Sequence, residues 1–351
     1  MPMNRETHVF HTNREDLERA AQLLREGQTV AFPTETVYGL GANALNPEAV
    51  KKIYEAKGRP SDNPLIVHIA RLEDISQLVT HIPEKAKLCM ERFWPGPLTL
   101  ILPCTDRVPS AVTAGLDTVG IRMPDHETAL QLIALAGIPL AAPSANSSGR
   151  PSPTTAAHVL EDLSGRIAGV VDGGAAGVGV ESTVLDVTGD KPMILRPGGI
   201  TREMLQELLG PVGIDPALSD AGIAPKSPGV KYTHYAPKGT MFLIEGEHDV
   251  DKIVELARAA RHDGKKVGIL AAAEDADAFR SVFSEEEGAV ILEAGSRHDL
   301  STVASRLYDA IRTFDHHGVE LIYAQTYSEE GVGLAVMNRL RKAAGHRVIF
   351  S

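Results

Sequence analysis

Thr29-Val30-Ala31-Phe32 and Pro64-Leu65-Ile66-Val67-His68-Ile69 are short apolar runs rich in β-branched residues, and Pro47 to Lys57 between them repeats its apolar positions at helical spacing. Strand, helix, strand at this distance predicts a mixed α/β layer arrangement. The same alternation extends outward. Further strands are expected over Leu98 to Pro103, Val119 to Arg122, Pro139 to Ala142, Gly169 to Val171, Thr183 to Val187 and Met193 to Leu195. Helices are expected over Glu84 to Phe93, Glu127 to Ala136 and Thr155 to Leu163, the last with Thr154 as its N-cap. Many of these strands stop at Pro, Gly or Ser, where loops that carry function tend to emerge.

Between Gly210 and Gly239 the periodicity disappears under repeated proline and glycine, which marks a linker. A regular series follows. Strands are expected at Met241 to Glu245, Val267 to Ala271, Ala289 to Glu293, Leu321 to Ala324 and Arg347 to Phe350, with helices at Val250 to Arg261, Asp275 to Phe283, Leu300 to Phe314 and Leu334 to Ala343. Such spacing argues for a smaller, Rossmann-like, parallel-sheet second domain. The division is therefore 1–210, a linker at 211–239, and 240–351. No Gly-x-Gly-x-x-Gly follows any strand of the second part, so nucleotide binding there has no support in the sequence.

The 351 residues exceed the size at which one core usually stops growing, in line with two domains. Cys89 and Cys104 form neither a metal-ligand spacing nor a disulfide framework, which points to a reducing compartment and no structural metal. The N-terminus lacks the apolar core of a signal peptide, and the apolar stretch from Leu130 to Pro143 is interrupted and short for a membrane span. A cytoplasmic protein without membrane contact is expected. Net charge is −11, with 19 basic against 26 acidic groups in residues 1–215 and 16 against 20 in the rest. No basic stripe stands out, which disfavours stable nucleic-acid binding as the main activity.

A Walker loop, a His-Glu-x-x-His zinc motif and a Gly-x-Ser-x-Gly elbow are all absent. Gly173 to Thr183 has the glycines of a phosphate loop but Glu181 in place of the lysine; it reads equally as an anion-binding turn or a plain surface loop. Four segments place polar groups at strand ends or tight turns. They are Pro33-Thr-Glu-Thr-Val-Tyr-Gly-Leu40, Lys57-Gly-Arg-Pro-Ser-Asp-Asn63 with His68, Ser144-Ala-Asn146, and Ser182-Thr183 with Arg196-Pro197-Gly198. Each has an ordinary reading. Lys57 and Arg59 could simply complement a helix C-terminus, Ser144 and Asn146 could be turn formers, and His68 could be a satisfied core histidine. The functional alternative has Arg59 gripping a phosphate with its planar fork and Lys57 acting as a point charge.

Together the four segments resemble the threonylcarbamoyl-AMP synthase family, the YrdC-like proteins, in the long form with a C-terminal domain. Lys57-Gly58-Arg59 and Ser144-Ala145-Asn146 are similar to that family's Lys-x-Arg and Ser-x-Asn signatures, and Pro33 to Leu40 is similar to its opening motif. The likeness runs over about residues 12–210, through Ser227 to Pro237, which looks like the interdomain segment, and into the second domain.

The resemblance implies a YrdC-like twisted mixed-sheet catalytic domain and a reaction in which L-threonine, bicarbonate and ATP give threonylcarbamoyl-AMP and pyrophosphate, the adenylate being destined for the adenosine next to the tRNA anticodon. Mg²⁺ would accompany ATP. By the same likeness Lys57, Arg59, Ser144 and Asn146 carry the chemistry; Thr36, His68, Arg122, the backbone at Ala142, and Ser182 surround threonine; and Arg59, Asn63, Thr118, Ser144, Ser152, Arg196 and Tyr235 hold ATP. Tyr235 lies in the linker, which suggests a lid that keeps water from a labile carbamate. A transient contact with the tRNA threonylcarbamoyl-transferase complex is a further expectation. Two other readings stand beside this one: a carbamoyl-transfer enzyme on the same scaffold, as in hydrogenase-maturation proteins, and a non-enzymatic RNA-binding module.

Overall fold

A computed structural model describes residues 6–218, 235–283 and 289–351. By contacts the chain divides into two compact units, one of Met1–Ser148 and Ser152–Lys231, the other of Gly149–Pro151 and Tyr232–Ser351.

Among the described residues the first unit carries eleven strands: β1 (His8–Phe10), β2 (Val30–Phe32), β3 (Gly39–Asn43), β4 (Ile66–His68), β5 (Leu98–Pro103), β6 (Thr118–Arg122), β7 (Leu140–Ala141), β8 (Gly169–Val171), β9 (Thr183–Asp186), β10 (Met193–Arg196) and β11 (Gly213–Ile214). They form one mixed sheet in the order β1-β8-β2-β3-β7-β4-β6-β5-β9-β10-β11. β4 and β6 run parallel with His68 beside Arg122, while β7 pairs antiparallel with both β4 and β3. That register sets the C-terminal ends of β4 and β6, at His68 and Arg122, beside the start of β7 at Leu140, in the middle of the sheet. Apolar side chains cover both faces: Leu17, Ala21 and Leu24 of the helix Arg14–Arg25 pack with Phe32, Leu132 and Ile133, and a larger cluster gathers Ile53, Val67, Leu100, Ile121 and Leu185.

The helix Pro47–Lys57 shows how local rules place a functional group. Asn46 accepts from the backbone N–H groups of Glu48 and Ala49, Pro47 occupies the first turn, and Gly58 ends the helix in the left-handed region at φ 66°. An N-cap of this kind stabilises a helix by about 1 kcal/mol. Both ends being fixed, Lys57 closes the last turn facing the interior. At the helix Ala156–Leu163 the capping residue is Thr155, not Thr154, because the Thr155 hydroxyl accepts from His158 N–H while Thr154 is buried against the His158 ring.

The stretch expected to be linker begins with structure: β11 pairs parallel with β10, and a 3-10 turn spans Pro216–Leu218. Residues 219–234, with most of the Ser227 to Pro237 segment, lie outside the described residues.

The second unit holds β12 (Thr240–Glu245), β13 (Val267–Ala272), β14 (Ala289–Gly295), β15 (Leu321–Gln325) and β16 (Val348–Phe350), all parallel, in the order β14-β13-β15-β12-β16. The sheet is parallel as the spacing required, although β15 separates the first two strands instead of flanking them as in the dinucleotide-binding order. At the strand ends Gln325 donates to Asp249 and Asp275, and Arg297 pairs with the same two carboxylates. Tyr235 belongs to this unit, stacked on Tyr308 at 5.1 Å with the Arg339 guanidinium 5.8 Å from its ring.

Candidate functional site

Lys57 lies at the end of its helix, only 3% exposed. Its Nζ donates to the carbonyl of Ser144 at 2.5 Å, to the carbonyl of Asn146 at 2.7 Å and to Asn146 Oδ1 at 3.4 Å. Ser144 Oγ donates to Asn146 Oδ1, and Asn146 Nδ2 to the Ser147 carbonyl. One buried ammonium therefore shapes the Ser144–Asn146 loop. Burial, and after it the Arg59 guanidinium, hold the Lys57 pKa well below that of a free lysine, against the opposing pull of Asp162 and Glu181. Arg59, one residue past the αL glycine, sits over the Tyr54 ring, whose hydroxyl donates to the carbonyls of Asn63 and Ala111. Asn63 is 2% exposed, and its Nδ2 has no hydrogen-bond partner among the described residues, so a donor is left for something further.

A second group forms around Arg122. Thr34 and Thr36 share a hydroxyl contact at 2.9 Å, and the Thr34 hydroxyl also accepts from the N–H of Val37, which folds Pro33–Tyr38 into a tight turn. Arg122 donates from Nη1 to Thr36 Oγ1 at 2.9 Å and from Nε to the Gly96 carbonyl, and its Nη2 stands 2.5 Å from Glu35 Oε1. His68 is beside it in register, its Nδ1 3.3 Å from the Ile66 carbonyl and its ring edge-on to Phe32. The Ala142 N–H donates to the Ile66 carbonyl.

Burial, reinforced by the Arg122 charge, pushes the His68 pKa down to about 3, so the ring is neutral at pH 7. Between about pH 6.5 and pH 3 the unfolded chain protonates this histidine and the folded chain does not, so stability falls as pH falls. Chemical denaturation of the full chain should show a His68 contribution with a slope on the order of 1.4 kcal/mol per pH unit in that window. In His68→Asn that contribution should vanish; an unchanged slope would contradict the assignment.

β9 and β10 complete the arrangement. Thr99 Oγ1 lies 2.8 Å from Ser182 Oγ, and Arg196 donates from Nε to the Ser182 carbonyl and from Nη2 to Ser182 Oγ. Ser152 Oγ donates to Glu181 at 2.5 Å. Gly198 is needed where the chain passes Ser182: a Cβ there would stand 2.3 Å from Thr183 N and 2.4 Å from the Glu181 carbonyl, and backbone cannot step aside as a side chain can. Gly198→Ala should lose about 1–3 kcal/mol of stability. Urea titration checks it, and a change below 0.5 kcal/mol, the ordinary range for a neutral substitution, would contradict it.

The first unit thus brings Thr36, His68, Arg122 and Ala142 into one group along β4, β6 and β7, Ser182 and Arg196 with Thr99 into a second, and Lys57, Ser144 and Asn146 into a third. The opening turn runs between them: the Tyr38 carbonyl accepts from Ala145 N–H, and the Thr36 carbonyl accepts from Gly179 N–H, three residues before Ser182. Thr118 starts the strand that Arg122 ends, roughly 13 Å away along β6. Tyr235 stands in the second unit with φ 65°. The sequence assigns no role to Glu35 or Thr99, and marks Glu181 only as the residue in place of a phosphate-loop lysine. Glu35 was in plain view inside the opening motif, whereas Thr99, within Leu98–Pro103, carried only the faint signal of one hydroxyl in an apolar strand. Among the described residues no group of three or more His, Cys, Asp or Glu is placed to hold a metal ion, and no helix is long and apolar enough to cross a membrane.

Comparison with known proteins adds to this geometry. A family model described as Telomere recombination (Sua5, YciO and YrdC) matches residues 22–198, and one described as Threonylcarbamoyl-AMP synthase, C-terminal domain, matches residues 200–345. A threonylcarbamoyl-AMP synthase of Bacillus subtilis is 55% identical, covering 98% of this chain and 97% of its own length. One of Pyrococcus abyssi is 50% identical with 94% of each covered. A crystal structure described as P. abyssi Sua5 complexed with L-threonine superposes with a TM-score of 0.91 at 47% identity, covering 98% of this chain and 100% of the other.

Proposed function

This chain belongs to the two-domain threonylcarbamoyl-AMP synthase family, and we propose on that footing that it condenses L-threonine, bicarbonate and ATP to threonylcarbamoyl-AMP and pyrophosphate, for modification of the adenosine next to the tRNA anticodon. The observation that carries the reading is the clasp of Lys57 on Ser144 and Asn146, which unites segments 87 residues apart in sequence. It fixes a loop of hydroxyl and amide groups over a buried cation, a preorganised positive environment of the kind that suits a triphosphate.

In the proposed reaction the carbamate oxygen of N-carboxythreonine attacks the α-phosphorus of Mg²⁺–ATP, the P–O bond to the β-phosphate breaks, and pyrophosphate leaves. Arg59, Asn63, Ser144, Ser152 and Arg196 neutralise and orient the phosphate chain, with Thr118 further along β6 on the nucleotide side. Thr36, His68, Arg122, Ala142 and Ser182 receive threonine, whose carboxylate is the natural partner of Arg122. Positioning and charge neutralisation are what this transfer needs, and no nucleophilic side chain is called for. The test is pyrophosphate release from ATP by the full chain: it should require both L-threonine and bicarbonate, and release indifferent to either would refute the reading.

A further inference from the structure

The Arg122 contact has a second member that the binding roles above do not use. Glu35 is held at 2.5 Å from Arg122 Nη2, the two side chains 13% and 4% exposed, and neither Glu35 oxygen nor Arg122 Nη2 makes an aligned hydrogen bond among the described residues. The backbone on either side is pinned: the Glu35 carbonyl accepts from Val178 N–H at 2.7 Å and the Thr36 carbonyl from Gly179 N–H at 3.1 Å. A buried ion pair is costly to maintain, and one whose hydrogen-bonding capacity is unspent is costlier still.

Resting on the functional reading given above, we propose that Glu35 receives the α-ammonium of threonine and acts as the proton acceptor for its N-carboxylation. The charge pattern is the first reason. A free α-amino acid is a zwitterion whose two charges sit on one carbon, and a guanidinium in contact with a carboxylate offers the complementary pair. Seating carboxylate on Arg122 and ammonium on Glu35 leaves no buried charge unpaired and fills the empty hydrogen-bonding positions.

The chemistry is the second reason. An α-amino group titrates near pH 8 and is mostly protonated at neutral pH, when its nitrogen has no lone pair to attack with. One N–H bond must break with its electrons staying on nitrogen, and the proton passes to Glu35. Nitrogen then attacks the bicarbonate carbon, the N–C bond forms, and the C–OH bond breaks. The departing hydroxide takes the proton from Glu35 and leaves as water, while the second nitrogen proton returns to Glu35 and passes to solvent, so the step yields carbamate, one water and one proton. Among the titratable groups around this point, burial takes His68 to about 3 and Arg122 is a cation, so neither is a proton acceptor; burial also lowers His126, against the opposing pull of the Glu35 charge.

The test separates this step from adenylation. Full-length Glu35→Gln and Glu35→Asp are assayed in the forward direction at saturating threonine and in reverse, where threonylcarbamoyl-AMP and pyrophosphate give ATP without any ammonium to deprotonate. Glu35→Gln should lose on the order of a hundredfold forward while keeping reverse ATP formation within a few fold, and Glu35→Asp should recover part of the forward rate. An equal loss in both directions would make Glu35 a mere prop for Arg122 and overturn the proposal, as would an undiminished forward rate. Wild-type protein that forms no ATP in reverse would sink the functional reading itself, and the proposal with it.

Discussion

Lys57→Met should reduce threonine- and bicarbonate-dependent pyrophosphate release by at least about a hundredfold, because it removes the two short charge-assisted hydrogen bonds that shape the Ser144–Asn146 loop. Methionine fills similar volume, so the effect isolates the ammonium from the packing. Two carbonyls would be left buried without their donor, each at a cost of about 1–3 kcal/mol, and thermal unfolding should move down by several degrees as well. The variant should fail in the forward and the reverse directions alike, since both need the nucleotide loop. A variant with normal turnover would show that the clasp has no part in catalysis.

Arg122→Ala should have an effect of similar size by a different route. It removes the cation assigned to the threonine carboxylate and strands Glu35 in a largely buried site, a kind of truncation that destabilises proteins by about 3–5 kcal/mol. Arg122→Lys keeps the charge but not the fork that reaches Thr36, Gly96 and Glu35 at once, so it should retain the fold and still lose about tenfold or more in apparent threonine affinity. Threonine titrations of pyrophosphate release read this as a raised KM. Unchanged threonine dependence in Arg122→Lys would move the carboxylate contact elsewhere.

The contrast between these residues shows what a sequence discloses. The helix Pro47–Lys57 could be read to the residue because Asn46, Pro47 and Gly58 carry its boundary signals in their own side chains and backbone freedom. β3 could not, because Gly-Leu-Gly-Ala-Asn has little strand preference of its own and is extended only by pairing with β2 and β7. The short helix Arg14–Arg25 had a readable pattern, with Asn13 as cap and Leu17, Ala20, Ala21 and Leu24 on one face, but it lies before the motifs that drew the reading.

For the site, Lys-x-Arg and Ser-x-Asn could be seen as segments, but not the clasp between them, since that depends on where the loop after β7 returns to the helix end. The Ser182–Arg196 contact likewise comes from antiparallel pairing of β9 with β10, in which Arg196 falls opposite Val184 through a register shift that local sequence does not announce. Lys57 is the residue where the two levels differ most. In sequence it reads as a point charge on a turn; in the fold it is buried, and its first partners are backbone carbonyls.

All of this depends on a site that joins threonine and bicarbonate carbon to AMP. The most direct measurement incubates the full chain with ATP, L-threonine and ¹⁴C-bicarbonate and separates the products. A single labelled species containing both threonine and AMP, formed in step with pyrophosphate, is the result expected. Pyrophosphate release with no label carried into an AMP-linked product would contradict the account.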